Sequence, residues 1–166
     1  AVTSSEAYLY GGGLYARAEN HNLKISGAVF DATTSLSGGG GGVALGTGNT
    51  NFLMLDCQFS SAWAATGGAL YLESGNNNAT VLSTQVSNCS AGQSGGGIWL
   101  AANTNVFFRA VTVTECTALL GGGVYLSDWN INVQFSGVEI QRCSAGEDGG
   151  GMYLDDNNLG VLFLLS

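Results

Sequence analysis

Six times in 166 residues the chain sets two glycines, then a glycine or alanine, directly against a strand-forming triplet. The copies are Gly11-Gly12-Gly13-Leu14-Tyr15-Ala16, Gly40-Gly41-Gly42-Val43-Ala44-Leu45, Gly67-Gly68-Ala69-Leu70-Tyr71-Leu72, Gly95-Gly96-Gly97-Ile98-Trp99-Leu100, Gly121-Gly122-Gly123-Val124-Tyr125-Leu126 and Gly149-Gly150-Gly151-Met152-Tyr153-Leu154. The first aliphatic of each triplet recurs at intervals of 29, 27, 28, 26 and 28 residues. Self-similarity at such a period is the signature of a solenoid. It also recasts the glycines: held between stacked coils, they are ordered corners rather than hinges.

Stacking the repeats brings further columns into line. One reads Leu23, Phe52, Ala79, Val106, Val133 and Val161, and two residues on come Ile25, Met54, Val81, Phe108, Phe135 and Phe163. A second segment reads Ala28, Cys57, Thr84, Val111 and Val138, then Phe30, Phe59, Val86, Val113 and Ile140, with Val2 in the register of Phe30. Within each segment the apolar positions alternate with period two, as strands do, and helical spacing is absent. Asparagine-rich turns such as Asn20-His21-Asn22, Asn76-Asn77-Asn78, Asn103-Thr104-Asn105 and Asn157-Asn158 separate the segments and suit positive φ. The pattern predicts an all-β, right-handed parallel β-helix: one domain over residues 1–166, six coils of about 28 residues, and three short strands per coil. A leucine-rich horseshoe needs its own consensus, and a propeller needs longer repeats.

Composition narrows the function. Net charge is −8, and Arg17, Lys24, Arg109 and Arg142 are the only basic residues, which argues against a basic nucleic-acid groove. No apolar run is long enough for a spanning helix. Glycine is abundant, but proline is absent and no three-residue period exists, so collagen is excluded.

The pairing of Val86-Ser87-Asn88-Cys89 with Gly95-Gly96-Gly97-Ile98, and the variant Gly67-Gly68-Ala69-Leu70, resemble the GGA[ILV] and FxxN repeats of polymorphic outer-membrane proteins and related surface β-helix proteins. The likeness covers the whole chain as a repeat pattern. It departs where Cys89, Cys116 and Cys143 stand in place of the repeat's asparagine. The resemblance implies a β-helix at a cell surface, with adhesive or structural work more common than catalysis.

The columns also nominate sites. Tyr15, Tyr71, Trp99, Tyr125 and Tyr153 lie between two inward aliphatics, so alternation sends them outward as an aromatic stripe interrupted by Ala44. Such a stripe stiffens a sheet by cross-coil stacking and offers a platform to a protein or a glycan. Cys89, Cys116 and Cys143 share one column, each a coil apart, whereas Cys57 sits in another, core-facing one. The expected state is a ladder of small buried thiols, because stacked side chains point the same way and miss the disulfide torsion. Asn78-Ala79-Thr80 and Asn88-Cys89-Ser90 match the N-glycosylation sequon. Asp155-Asp156-Asn157-Asn158 lacks the calcium nonapeptide and reads as a solvated turn, and His21 is alone, so no metal site and no cofactor are expected.

Many parallel β-helices act on polysaccharides, and that chemistry needs converging carboxylates. The acids at outward positions here, Asp31 and Glu139 among them, do not pair in adjacent coils of one column. Thr112 and Thr114 do not extend into a ladder that would bind ice. The expectation is a non-catalytic, extracellular structural or adhesive solenoid, with carbohydrate binding or polysaccharide degradation as the alternative. Ser166 falls on the column of Ala28 and Val111, the position from which residue 1 would continue. That arithmetic suits a window from a longer β-helix, and equally a subunit that stacks head-to-tail on copies of itself into a filament.

Overall fold

The computed structural model describes residues 1–164. Four parallel six-stranded sheets wrap a single column of apolar side chains. The first sheet is built from Val2–Thr3, Val29–Asp31, Gln58–Ser60, Gln85–Ser87, Thr112–Thr114 and Glu139–Gln141. The second contains Glu6–Ala7, Thr34–Ser35, Trp63–Thr66, Ser90–Ser94, Thr117–Ala118 and Ser144–Ala145. The third holds the triplets that follow the glycines, from Leu14–Ala18 to Met152–Leu154, and the fourth runs from Lys24–Ser26 to Leu162–Leu164. Each strand pairs with its equivalent one coil away, so every sheet runs the full height of the described stack.

The strand pairing reproduces the columns of the sequence. Val2 pairs with Phe30, Phe30 with Phe59, Phe59 with Val86, and the series continues to Ile140. Leu45, Leu72, Leu100 and Leu126 are fully buried in one inward column. Phe30 and Phe59 stack at 5.0 Å between ring centroids, and Phe108 and Phe135 at 5.1 Å, so identical residues in consecutive coils pack face to face along the axis. Burying each such side chain contributes about 1.5–3 kcal/mol. The placement of Ser166, and of Leu165 in the apolar tail, lies outside the described residues.

The strand count is corrected. Each coil carries four strands, not three, because the stretch after the first sheet's corner is itself a short strand. Its inward positions are Ser35, Ala64 and Ala91, which are buried but small, so they give no run of large apolar residues to read. Ser90–Ser94, which leads into the fourth glycine run, therefore belongs to a wall.

The glycine runs make the next corner, and their positions do different work. Gly95 has φ +66°, a conformation that costs a residue with a Cβ about 1–2 kcal/mol. At Gly96 a Cβ would lie 2.5 Å from the carbonyl oxygen of Thr117 and closer still to that of Gly122, both on the next coil. Only glycine lets consecutive coils approach this closely.

The corner between the third and fourth sheets is held by a second device. Asn49, Asn76, Asn103 and Asn130 are buried and form a ladder along the stack. The Oδ1 of Asn103 accepts the backbone N–H of Asn76 at 3.0 Å, and its own N–H donates to Oδ1 of Asn130 at 3.0 Å. The amide Nδ2 groups satisfy backbone carbonyls such as that of Leu72, at 3.0 Å from Asn103. Each asparagine thus supplies the turn's unpaired backbone groups with partners that no strand provides.

Candidate binding surface

The outward aromatic column is real as a column, but its exposure is uneven. Tyr15 is 41% exposed, whereas Tyr71 and Tyr125 are 9% and 7% exposed. An open stripe along the whole face is therefore corrected to a stack whose rings largely cover one another. Tyr71 and Trp99 lie at 4.6 Å between centroids and 8° between planes, and Tyr125 and Tyr153 at 5.3 Å and 3°. The gap that Ala44 leaves is filled by a residue from outside the column. Tyr10, in the first coil's loop, stacks on Tyr15 at 5.3 Å and meets Tyr71 at 5.8 Å. Ala44 is consequently fully buried.

Burial raises the Tyr71 phenol well above its ordinary range, and the Glu73 carboxylate adds to the effect. Tyr125 is raised first by burial and then by its hydrogen bond, its hydroxyl donating to Asp155 Oδ2 at 2.6 Å. That contact, with the Asp156 N–H donating to Asp155 Oδ1 at 3.0 Å, gives the Asp155–Asn158 turn a structural task. Among the described residues, no three His, Cys, Asp or Glu side chains gather as a metal-binding cluster.

Cys57, Cys89 and Cys116 are buried, Cys143 is partly so, and all four are free thiols. Cys89 and Cys116 each donate to the carbonyl two residues back, Ser87 and Thr114, at 3.3 Å. Cys143 Sγ accepts the Cys116 N–H at 3.4 Å. The hydrogen bond with Cys143 lowers the Cys116 thiol, but hydrogen bonding with Cys89 and burial outweigh it, and the group is pushed up to about 12. Hydrogen bonding with Cys116, and then burial, also raise the Cys143 thiol. The thiolate is thus suppressed at Cys116 and Cys143, whereas the hydrogen bond with Cys116 lowers the Cys89 thiol against the opposing effect of burial.

Both sequon asparagines are exposed, each at a corner with positive φ, 59° at Asn78 and 51° at Asn88. Asn78 Nδ2 donates to Asn51 Oδ1 at 2.7 Å and Asn88 Nδ2 to Ser61 Oγ at 3.4 Å, so each side chain sits over its neighbour one coil away.

Asp31 and Glu139 are both on the first sheet but four coils apart, ~19 Å at the strand spacing. That exceeds the separation of about 5–10 Å at which two carboxyls share one glycosidic bond. Asp31 instead accepts the Ser60 hydroxyl at 2.6 Å, and Glu139 accepts the Gln141 amide at 3.2 Å.

Two features of the surface escaped the sequence reading. One is Tyr10, which belongs to no periodic column. The other is the outer face of the fourth sheet. Its outward positions run Lys24, Leu53, Thr80, Phe107, Gln134 and Leu162 in one column, and Ser26, Leu55, Leu82, Arg109, Ser136 and Leu164 in the next. Period two assigns Ile25, Met54, Val81, Phe108 and Phe135 to the core, but half of these outward positions are apolar as well and carry no motif that marks a site. A hollow of about 340 Å³ opens on this face around Phe107, Arg109 and Ser136.

Comparison with known proteins agrees with this architecture. The family described as right handed beta helix region matches residues 12–163. No curated protein and no solved structure gives a match. The match spans nearly the whole chain, through all six glycine corners and the strands they connect, and the chain belongs to the right-handed β-helix family.

Proposed function

We infer that the chain is a non-catalytic structural or adhesive β-solenoid of the extracellular surface, and the repeating subunit of a head-to-tail filament. The observation that carries this reading is the use to which the side chains are put. Aromatics, asparagines and thiols all form ladders between coils, inside and outside the wall, and these stiffen a rod rather than assemble a reactive centre. The repeat likeness to polymorphic outer-membrane proteins and the two exposed sequons at Asn78 and Asn88 support a surface location.

Self-association draws support from the chemistry of the coils. The sixth coil's Leu162-Phe163-Leu164 repeats the out–in–out pattern of Lys24-Ile25-Ser26 in the first, so a stacked copy would meet the same alternation that each coil offers the next. A heterologous contact of that kind does not close on itself, and it propagates.

Incubation with polysaccharides and a glycan array separate this reading from the enzymatic one. Release of reducing ends or unsaturated products, abolished by Asp31→Asn or Glu139→Gln, overturns it. Unchanged polysaccharide over long incubation supports it.

A further inference from the structure

The hollow on the fourth sheet has a simple origin. Arg109, Ser136 and Leu164 follow one another in an outward column, one coil apart, and the short Ser136 lies between two long neighbours. The resulting space, about 340 Å³, falls in the range of small-ligand sites. Leu82, Phe107 and Leu164 give it a predominantly apolar wall, with Gln134 and Ser136 as neutral hydrogen-bonding groups. Arg109 is exposed beside it, and among the described residues the single ion pair is elsewhere, between Arg142 and Glu115. In a chain of net charge −8 an unpaired guanidinium on an apolar face is a local reversal of sign.

We propose that this hollow binds a small carboxylate carried on a compact apolar body, such as an aryl carboxylate. The guanidinium fork takes the carboxylate in a bidentate pair, while the ring lies against Phe107, Leu82 and Leu164. The Ser136 hydroxyl is available to the carboxylate oxygens, as is the second N–H of the Gln134 amide, whose first is donated to Asn132 Oδ1 at 3.2 Å. A hydroxylated sugar acid fits less well, because its hydroxyls would face Leu82, Phe107 and Leu164 without partners. The site is independent of any structural role for the rod.

The test is a titration of the isotope-labelled chain with sodium 2-naphthoate, followed by NMR at Arg109 Nε–H and at the backbone amides of residues 107–109 and 134–136. Saturable shifts confined to this face are expected. Arg109→Gln, and separately the neutral 2-naphthalenemethanol on the native chain, should each bind at least about tenfold more weakly. Ser136→Leu should abolish binding by filling the hollow. Its melting temperature should be unchanged, since Leu55, Leu82 and Leu164 already occupy the same column. Equal affinity in Arg109→Gln, equal affinity for the alcohol, tighter binding of glucuronate, or the absence of saturable shifts each overturns the proposal.

Discussion

Replacing Gly96 by alanine adds one methyl group where two coils touch. The new Cβ would sit 2.5 Å from the Thr117 carbonyl oxygen and nearer still to that of Gly122, so the obstacle is backbone, not a side chain that can rotate away. Both obstructing carbonyls belong to the next coil, and relief requires that coil to lift and lengthen its hydrogen bonds, including Gly96 N–H to Gly121 O at 3.2 Å. Overpacking a rigid site costs about 1–3 kcal/mol and occasionally more, and this contact belongs at the top of that range. A loss of about 3 kcal/mol lowers the melting temperature of a domain this size by roughly 6–12 °C. Gly95→Ala adds to its positive φ a Cβ pressed against the Ile98 carbonyl oxygen of its own coil, and should cost at least as much as Gly96→Ala. Gly92→Ala is the control: its Cβ would meet nothing nearer than 3.7 Å, and the change should stay within about 0.5 kcal/mol. Thermal melts by circular dichroism on the three variants give the ranking. If Gly96→Ala melts with the native chain, close coil approach is not what the second glycine provides.

The other expectations rest on separate ladders. Asn103→Ala strips the partner from the buried Asn76 N–H, whereas the Leu72 carbonyl keeps the Ala101 N–H, so a loss of about 1–3 kcal/mol is expected in urea melts. Tyr10→Ala breaks two aromatic contacts and uncovers Tyr71, so a loss of about 1–3 kcal/mol is expected together with a rise in Tyr71 accessibility to tetranitromethane. The Cys116 thiol, held near 12 when folded, keeps its proton while the unfolded chain releases one above pH about 9. Stability should therefore be unaffected by this group below pH 9 and fall between pH 9 and 12, less steeply in Cys116→Ala, as followed by chemical denaturation at each pH.

Much of the architecture is legible in the chain because the core columns use large residues on one side only. Phe30, Phe59 and Val86 on the first sheet, and Leu45, Leu72 and Leu100 on the third, declare their register by sequence alone. The second sheet is silent because its inward residues, Ser35, Ala64 and Ala91, are small, while the large residues beside them, Leu36 and Trp63, face solvent. The asparagine ladder looks like a set of turns, since asparagine favours positive φ and also makes the hydrogen bonds, and spacing cannot separate the two roles. Burial of Tyr71 depends on Tyr10, a contact across 61 residues that no column encodes. Outward position is a local property of a strand, whereas exposure is a property of everything that packs over it.

Electron microscopy of the purified chain across a range of concentrations tests the central claim, that the coil stack is a structural unit able to propagate through its own register. The account predicts unbranched filaments that lengthen with concentration and show an axial repeat of ~4.8 Å from stacked coils. Monodisperse single rods at the highest attainable concentration would contradict it.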